Sequence, residues 1–414
     1  MNQELDIAVI GCGSAGAAAA LLLARDGHRV TVFEKAPRLL PLGAGFMLQP
    51  TGMDVLQELG ILGPIIAHGA HVDRLRCETR TGRRILDLAY AEVHPDLFGL
   101  GMHRAVLLHY LAEALAAASI PLCLDCDVTE IDLRDGAAWV REARFDLVVV
   151  ANGARSGLRA AYAPEHKAVK YPWGALWCMR PDPGGLADGR LFQIVDGVRH
   201  MIGFLPTGRT VGEPESLITL FASIELSTYD AVRTAGLESW KRELIRVAPR
   251  AEPILAEVHD FDQLTLASYM DVTMRPWHRG PVVFIGDAAH ATSPQLGQGV
   301  NLALVDARAL ASSVAGHDDL DAALRGYAAA RRRHLAYYQW ATRWLTPFFQ
   351  SSWRPLGWMR DLGFGMTGWI RPLRRQMVRT MVGVKRGFVR RSMPLPQLSL
   401  PPPAPVTDPS ASPR

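Results

Sequence analysis

Cysteine and long hydrophobic runs are both scarce in this sequence. Five cysteines, an odd number, are spread over 414 residues without a signal sequence ahead of them. This pattern argues against a disulfide-stabilised secreted fold and favours the reducing cytoplasm. No uncharged apolar run reaches the roughly 18–20 residues that cross a bilayer. The apolar stretch 15–24 follows the acidic residues Glu4 and Asp6, so we expect a buried helix there and not a secretory signal.

A strong excess of one charge is also absent. The 45 basic and 41 acidic residues leave a net charge of +4, which does not indicate a nucleic-acid-binding protein. Apolar residues make up 49% and charged residues 21%, a composition that excludes a wholly disordered chain. The charge is unevenly distributed, because residues 1–361 sum to −4 and residues 362–414 sum to +8.

The length and the texture of the chain predict two interleaved domains, since 414 residues exceed one comfortable hydrophobic core. Residues 5–34 read as strand, helix and strand, and buried strands recur at 145–151 and 282–285, with a long helix from 299. This rhythm predicts an α/β, Rossmann-like domain. Residues 169–267 instead contain short strands separated by turn residues, which predicts an inserted, mainly β domain.

The predicted boundaries follow from these changes in the pattern of strands and helices along the chain. We assign residues 1–70, 101–165 and 276–330 to a discontinuous nucleotide-binding domain, 71–100 and 166–275 to a substrate domain, and 331–391 to a C-terminal helical region. Residues 392–414 contain eight prolines, so we expect an unstructured tail there.

A glycine-rich turn follows the first strand. Gly11, Gly13 and Gly16 fit the pattern G-x-G-x-x-G, and Ser14 and Ala15 open the helix after it. The first glycine permits the tight turn, the second lets the backbone approach a diphosphate, and the third lets helix and strand pack closely. The free N–H groups at the helix start favour the anion. These features predict a dinucleotide site.

An acidic residue completes this first motif. Glu34 ends the second strand 23 residues after Gly11, near the offset expected of a carboxylate that binds a ribose 2′-hydroxyl. A carboxylate there would repel a 2′-phosphate, which excludes NADP at this site. We include the adjacent Lys35 in the predicted site.

A second constellation decides between NAD and FAD. Asp287 directly follows a strand, where its carboxylate can accept hydrogen bonds from a polyol. Gly297 and Gly299 leave backbone space at a helix start, where N–H groups can stabilise the negative charge of a reduced flavin. NAD needs no second site of this kind, so the pair of motifs favours FAD. The full stretch contains Gly286, Asp287, His290, Pro294, Gly297, Gly299, Val300, Asn301 and, on the helix beyond, Asp306.

These motifs together resemble the single-component FAD-dependent aromatic hydroxylases of the para-hydroxybenzoate hydroxylase type, over the chain to about residue 330. By this resemblance, Asp287 would bind the ribityl chain and Pro294 would lie near the reactive edge of the flavin. Residues 297–301, which include Val300 and Asn301, would surround its pyrimidine side.

Further positions match the same family. The segment Gly43, Ala44 and Gly45 with Gln49 is similar to the loop that lines the flavin, and Arg104 matches the arginine near the FAD phosphates and ribityl chain. One motif departs from the family, because Asn152 stands where an aspartate is usual before Gly153, Ser156 and Arg159. Asparagine has the size of aspartate but lacks its negative charge. Either this change alters the reduction of the flavin by the pyridine nucleotide, or it is a neutral change at a structural turn.

The resemblance also implies the chemistry. NADH or NADPH would reduce FAD, O₂ would form a C4a-hydroperoxyflavin, and its distal oxygen would pass to an aromatic, quinone-like or polyketide small molecule. Because water must be excluded, we expect the inserted sheet to present a mostly apolar wall to the flavin. The candidates on that wall are Tyr171, Trp173, Trp177, Phe192, Gln193, Phe204 and Phe221. The catalytic residue stays open among His200, His259 and Tyr269, with Pro294, Gly297 and Gln49 as flavin-proximal positions.

Rival functions remain on the same fold. A flavin-dependent halogenase, a reductase that uses no oxygen and a non-catalytic flavin-binding protein are the alternatives. The tryptophan motif of the halogenases is absent. A metal is not expected, because Cys123 and Cys126 lie in an apparent strand and no second pair completes a zinc site.

The C-terminal region carries a separate signal. Trp340, Trp344, Trp353, Trp358 and Trp369 precede eight arginines and lysines, without an acid, in residues 371–391. Either these aromatic residues form a core or a dimer interface, or residues 340–391 make peripheral contact with the inner face of a membrane. A monomer or a homodimer in the cytoplasm fits both alternatives.

Overall fold

The computed structural model of the chain describes residues 4–39, 45–182, 184–186, 188–367, 370–388 and 391–399. Nineteen strands are formed in these ranges: β1 Asp6–Ile10, β2 Arg29–Phe33, β3 Gly45–Leu48, β4 Ala70–Val72, β5 Arg74–Thr79, β6 Arg84–Ala89, β7 Gly99–His103, β8 Leu122–Cys123, β9 Asp132–Arg134, β10 Ala137–Val140, β11 Ala143–Phe145, β12 Leu147–Val150, β13 Lys167–Pro181, β14 Arg190–Asp196, β15 His200–Gly208, β16 Leu217–Glu225, β17 Thr265–Thr273, β18 His278–Arg279 and β19 Val282–Phe284. Thirteen α-helices accompany them: α1 Ser14–Arg25, α2 Pro50–Glu58, α3 Leu62–His68, α4 Arg104–Ala117, α5 Arg159–Tyr162, α6 Tyr229–Ala235, α7 Leu237–Val247, α8 Glu252–Ala256, α9 Asp287–His290, α10 Gly299–Ala315, α11 Leu320–Leu345, α12 Pro355–Thr367 and α13 Arg371–Val382.

A six-stranded sheet carries the amino-terminal motif. Its order is β18-β19-β12-β1-β2-β8, and the pairs from β19 to β8 are parallel. Strand β12, with the sequence Leu-Val-Val-Val, is buried along its whole length because both faces of the sheet are covered. The helices α1 and α10 pack against each other beside this sheet. The predicted α/β architecture is therefore confirmed, and the strand ends predicted by the sequence lie within two residues of those observed.

A seven-stranded sheet forms the centre of the inserted domain, and its strand order is β17-β13-β16-β15-β14-β5-β6. Its neighbours are antiparallel except for β14 and β5. Helices α7 and α8 cover one face with an apolar core that contains Leu220, Trp240 and Leu255. The other face meets the small sheet β3-β7-β4, where Leu205 contacts Met47. This second face is the one that points toward the nucleotide-binding domain.

The C-terminal chain returns to the nucleotide-binding domain. The last helix, α13, ends at Gly383, whose φ of +100° is a left-handed conformation suited to glycine. The expectation of an unstructured tail from residue 392 needs correction for its first part. Ser399 N and the Gln397 carbonyl form hydrogen bonds with the Gln57 side chain, and Leu398 packs on the main core. Met393 and Leu395 also pack on buried apolar residues. Residues 400–414 lie outside the described residues.

Two further expectations can be compared with the fold. In the described ranges, no helix combines the length and the apolar character that a membrane span requires. The cysteine pair does not share one strand, since β8 ends at Cys123 and Asp125, with a φ of +51°, turns the chain before Cys126. All five cysteines are free thiols.

Candidate functional site

The carboxyl ends of four neighbouring parallel strands meet at one edge of the six-stranded sheet. Gly11 follows β1, Glu34 follows β2, Asn152 lies just beyond β12, and Gly286 lies just beyond β19. A Cβ atom on Gly286 would lie 3.0 Å from the Cβ of Ala15 in the first motif. The two distant sequence motifs therefore converge in space, as the sequence predicts.

The glycines of the first motif have three different environments. Gly11 has a φ of +99°, and a Cβ there would lie 2.7 Å from the Ala151 carbonyl oxygen. A Cβ on Gly16 would lie 1.9 Å from the Gly11 carbonyl oxygen, so close packing requires glycine. Gly13 differs, because a Cβ there meets no protein atom within 4 Å and its φ of −80° suits any residue. Only at Gly13 does the open space lie where a ligand would approach.

The start of α1 leaves polar groups without protein partners. No side chain caps this helix, so the first N–H groups of the helix have no capping partner. Ser14 Oγ is buried and has no hydrogen-bond partner among the described residues. Such groups favour a bound anion at this end of the helix.

Glu34 lies against the same turn. Its Oε2 accepts a hydrogen bond of 2.7 Å from Cys12 N, and its Oε1 accepts one of 3.0 Å from Ala36 N. These contacts fix the carboxylate beside the glycine-rich turn, and each oxygen keeps a second lone pair for a ligand hydroxyl. Lys35 and Arg104 are both exposed and make no hydrogen bond or ion pair with the described residues.

A buried charge network holds the second motif. Asp306 is fully buried; it accepts hydrogen bonds of 2.8 Å from Gly286 N, 2.5 Å from His290 Nε2 and 2.6 Å from Arg331 Nε. Burial alone would raise the pKa of Asp306, but the charges of His290 and Arg331 and the hydrogen bonds from His290 and Gly286 N hold the pKa below its ordinary value. Because this anchor is rigid, the turn at Gly286 has one defined position.

Asp287 and the following loop form the open part of the second motif. Asp287 is exposed at the start of α9, and a Cβ on Gly299 would lie 3.9 Å from its Oδ1. Gly297 has a φ of +59°, and a Cβ there meets no protein atom within 4 Å. The carboxylate and the two glycines thus border one accessible space. Pro294 is exposed on the preceding turn, and Val300 is half-buried against the main core.

Asn301 joins this loop to Gln49. Its Oδ1 accepts a hydrogen bond of 2.8 Å from Gln49 N, and its Nδ2 donates to the Gly297 and Met47 carbonyl oxygens at 3.2 and 3.3 Å. The Tyr90 hydroxyl donates to Gln49 Oε1 at 2.5 Å. Gly45, at the start of β3, is enclosed differently, since a Cβ there would lie 2.2 Å from Thr219 Oγ1. Gly43 and Ala44 lie outside the described residues.

The segment after β12 is tied to the second motif by a buried arginine. Arg159 Nε donates to the Ala288 carbonyl oxygen at 2.7 Å, and its Nη2 donates to the Ala154 carbonyl oxygen at 2.9 Å. Burial lowers the pKa of Arg159, while the charge of Asp287 raises it. Asn152 Oδ1 and Ser156 Oγ are buried without hydrogen-bond partners among the described residues. The position of Asn152 thus retains an unsatisfied acceptor at the same edge as the two motifs.

The candidate wall residues lie on both faces of the seven-stranded sheet. Trp177 and Phe221 pack together on the face that is turned away from α7 and α8, with ring centroids 5.0 Å apart. Trp177 Nε1 donates to the Tyr269 hydroxyl at 3.2 Å, and burial raises the pKa of Tyr269 to about 12. Gln193 alternates onto this same face of the sheet.

Tyr171 lies beside the second motif. Its pKa is raised by burial and by the charge of Asp271, while hydrogen bonds with Ser293 lower it. Ser293 directly precedes Pro294, so Tyr171 contacts the loop of the second motif. Trp173 is buried on β13.

Several candidate residues are wrong, and strand alternation gives the reason. Phe204 is fully buried in the core beneath α7 and α8, and Phe192 packs on the same core, so both face away from the flavin side. Neighbours such as Phe192 and Gln193 point to opposite faces.

The candidate catalytic residues lie in different places. His259 is exposed after α8, and His200 lies 3.6 Å from Glu243 on α7. Tyr269 lies on the side of Trp177, and its raised pKa keeps its hydroxyl protonated near neutral pH.

The family model for the FAD binding domain matches residues 4–341. The chain belongs to the FAD-dependent aromatic-ring monooxygenases. The 3-amino-4-hydroxybenzoate 2-monooxygenase of Streptomyces cremeus is 30% identical over 343 residues, 75% of this chain and 78% of that protein.

A second relative and a solved structure agree. The 6-hydroxynicotinate 3-monooxygenase of Bordetella bronchiseptica is 29% identical over 340 residues, 75% of this chain and 82% of that protein. Klebsiella pneumoniae HpxO in complex with FAD and uric acid has the same fold, with a TM-score of 0.76 and 20% identity over 92% of this chain and 97% of that chain. The resemblance stated from the motifs is confirmed.

The residues of this FAD-dependent monooxygenase fit the cofactor. The space at Gly13, the unpartnered Ser14 hydroxyl and the exposed Asp287 carboxylate lie along the edge where the motifs meet. A dinucleotide that extends from Glu34 to Gly297 would supply partners for groups that the protein leaves unsatisfied.

Sequence reasoning missed two supports of the flavin site. The first is the network of Asp306, Arg331 and His290, since no local pattern pairs Arg331 with a residue on another helix. The second is α13, whose Met381 carbonyl accepts a hydrogen bond of 2.7 Å from Gln298 Nε2. The Val382 carbonyl accepts one of 3.3 Å from Thr51 Oγ1. The basic helix α13 therefore also braces the loop of the second motif.

Proposed function

We propose that this monooxygenase consumes NADH or NADPH and hydroxylates an uncharged, lipophilic aromatic molecule, of the quinone-like or polyketide kind. The observation that carries this proposal is the apolar cluster around Trp177 and Phe221, on the face of the seven-stranded sheet that is turned away from α7 and α8. Bound FAD supplies the redox and oxygen chemistry, and the protein supplies orientation, dryness and charge.

In this proposal, the chain holds the cofactor from both ends. The N–H groups at Gly13 and Ser14 bind the diphosphate, Glu34 binds the adenosine ribose, and Asp287 binds the ribityl hydroxyls. A further group would complete the site: Gly11, Ala15, Gly16, Lys35, Gly45 and Arg104 on the nucleotide side, and Pro294, Gly297, Gly299, Val300 and Asn301 on the ring side. Gln49, fixed by Asn301 and Tyr90, would lie at the edge of the ring.

The chemistry of the wall supports an uncharged substrate. The cluster around Phe221 includes Val195, Met201 and Phe349. The buried Arg360 lies 5.3 Å from the Phe349 ring centroid and is paired with Asp361. The polar groups of the cluster are the Trp177 indole N–H and the Tyr269 hydroxyl, which are already bonded to each other. A ring carboxylate would lose its hydration there, and the Arg360 guanidinium already has Asp361 as its counter-ion. The two relatives compared above are named for substrates that carry such a carboxylate, so we place this substrate in a different class.

The proposal predicts substrate-stimulated consumption of the nicotinamide. With FAD bound, NADH or NADPH should be oxidised under air faster in the presence of an alkylquinolone or a naphthoquinol than of a hydroxybenzoate. The product should gain one oxygen atom by mass spectrometry. A reduced product without added oxygen would favour the reductase, a halogenated product would favour the halogenase, and an FAD that neither nucleotide reduces would favour a non-catalytic flavin protein.

We also propose a location and an assembly. A cytoplasmic monomer or homodimer fits the free thiols and the absence of a spanning helix among the described residues. Small aromatic substrate and O₂ would be its partners, without nucleic acid. We propose that residues 340–391 contact the membrane surface, from which a lipophilic substrate would be drawn.

A further inference from the structure

An arginine-lined cleft lies between α11 and the chain that follows α13. The cleft has a volume of about 460 Å³ and is open to solvent. Its lining residues are Ala329, Ala330, Arg332, Arg333, Arg386, Arg391 and Ser392. The backbone of Arg386 donates to the Arg391 carbonyl oxygen at 2.8 Å, which brings both side chains to the same wall.

The four arginines of this cleft have no counter-ions among the described residues. All four are exposed, and no hydrogen bond or ion pair of their side chains occurs with a described residue. Ser392 Oγ, which belongs to the same lining, is buried and also has no described hydrogen-bond partner. Four cations and a free hydroxyl around one cleft are the chemistry that recognises a phosphate group.

An exposed aromatic surface adjoins the cleft. We define the aromatic platform as Trp340, Trp344 and Phe388, which are 45%, 49% and 60% exposed. The Trp340 and Phe388 rings are 4.3 Å apart at their centroids, and Trp340 stacks with Trp344 at 5.9 Å. Phe388 lies two residues from Arg386, and Arg333 precedes Trp340 by seven residues on the same side of α11. The platform and the cleft are therefore one continuous surface.

The neighbouring helix extends the apolar part of this surface. Phe364 of α12 contacts Trp344, with ring centroids 6.2 Å apart. Trp358, Met359 and Leu362 of the same helix are more than half exposed. Large exposed apolar side chains of this number mark an interaction surface on a protein of this kind.

We propose that the four-arginine cleft binds the headgroup of an anionic phospholipid while the aromatic platform inserts into the adjoining interface of the bilayer. Tryptophan prefers the boundary between headgroups and acyl chains, and arginine is attracted to anionic lipid. A soluble phosphate ligand would explain the arginines but leave three half-exposed aromatic rings beside it without a role. The inference deepens the proposed peripheral location and does not depend on the identity of the substrate.

The test is co-flotation of the FAD-loaded protein with vesicles. The protein should float with phosphatidylcholine vesicles that contain phosphatidylglycerol and stay in solution with phosphatidylcholine alone. Since each arginine near an anionic surface changes binding roughly fivefold, the double variant Arg386→Gln/Arg391→Gln should bind about 25-fold more weakly. The matched control Arg233→Gln/Arg242→Gln removes the same charge from α6 and α7 and should bind like the wild type.

The aromatic contribution is measured separately. The variant Trp340→Ser/Trp344→Ser should lose the part of vesicle binding that survives at high salt, because this part does not depend on charge. Flavin absorbance and substrate-stimulated oxidation of the nicotinamide in solution should stay unchanged in the cleft variants. This readout distinguishes failure of the lipid site from failure of the proposed monooxygenase.

Three results would overturn the lipid assignment. Equal binding to vesicles with and without phosphatidylglycerol would remove the role of the cleft, as would equal binding by the cleft variant and its control. The third is calorimetric binding of inorganic phosphate or ATP to the wild type, lost in the cleft variant, without any flotation. That result would assign the arginines to a soluble anion.

Discussion

The substitution Gly13→Val should give a folded protein that does not retain FAD. An added Cβ at this position would meet no protein atom within 4 Å, and its φ of −80° suits a β-branched residue. The free energy of unfolding of the apoprotein should therefore change by less than about 0.5 kcal/mol. The valine would occupy the path of the diphosphate and remove its hydrogen bonds to the backbone. Two such bonds contribute about 1.5–3 kcal/mol each, so FAD affinity should fall roughly 100-fold or more.

Two further glycine variants make this result specific, measured by urea unfolding of the apoproteins and by FAD titration. Gly63→Val lies on the exposed side of α3, where an added Cβ also meets no protein atom within 4 Å, and this variant should retain FAD. Gly16→Val should destabilise the apoprotein itself, because its Cβ would overlap the Gly11 carbonyl oxygen. Wild-type FAD affinity in the Gly13 variant would show that the diphosphate lies elsewhere.

The substitution Asp306→Asn should have the largest effect on stability. It leaves Arg331 and His290 buried without the anion that now holds them, and breaking a buried ion pair in this way costs about 3–5 kcal/mol. Because Asp306 also fixes Gly286, the variant should lose FAD even under conditions in which it stays folded. Chemical denaturation and the flavin content of the purified variant measure the two effects.

The matched control is Asp321→Asn. Asp321 pairs with Arg325 on α11, where both side chains are exposed. An exposed pair of this kind contributes less than about 1 kcal/mol, so this control should unfold and bind FAD like the wild type. An Asp306 variant that behaves like this control would show that the network does not hold the flavin loop.

Much of the fold could be predicted because its signals are local. The run of apolar residues in β1, the glycines after it and the acid after β2 lie within 34 residues of the start of the chain. The pairing of Gly286 with Ala15 could also be predicted, since both follow parallel strands and such strands share an edge. Resemblance to the aromatic hydroxylases supplied the role of that edge.

The wall residues show where sequence reasoning failed. Phe192 and Gln193 are neighbours on β14, so strand alternation places them on opposite faces of the sheet. The aromatic residues of the inserted domain nevertheless suggested a single wall. Deciding which face meets the flavin required the positions of α7 and α8, which cover Phe204. No pattern in a single strand carries that information.

The C-terminal region was the least predictable part. Its basic composition was visible, but the contact of Gln298 with Met381 depends on how α13 returns across the flavin loop. The proline-rich composition indicated disorder from residue 392, whereas Leu398 and Ser399 have partners on the nucleotide-binding domain. Long-range docking of this kind leaves no periodic signal in the sequence.

A crystal structure of the protein grown with FAD tests the central claim most directly. The diphosphate should lie beside the backbone N–H groups of Gly13 and Ser14, and the ribityl hydroxyls should lie within hydrogen-bond distance of Asp287. The tricyclic ring should lie beside Gly297 and Asn301, facing Trp177 and Tyr269. An FAD bound away from either motif, or an ordered FAD that contacts only one of them, would contradict the claim that both hold one cofactor.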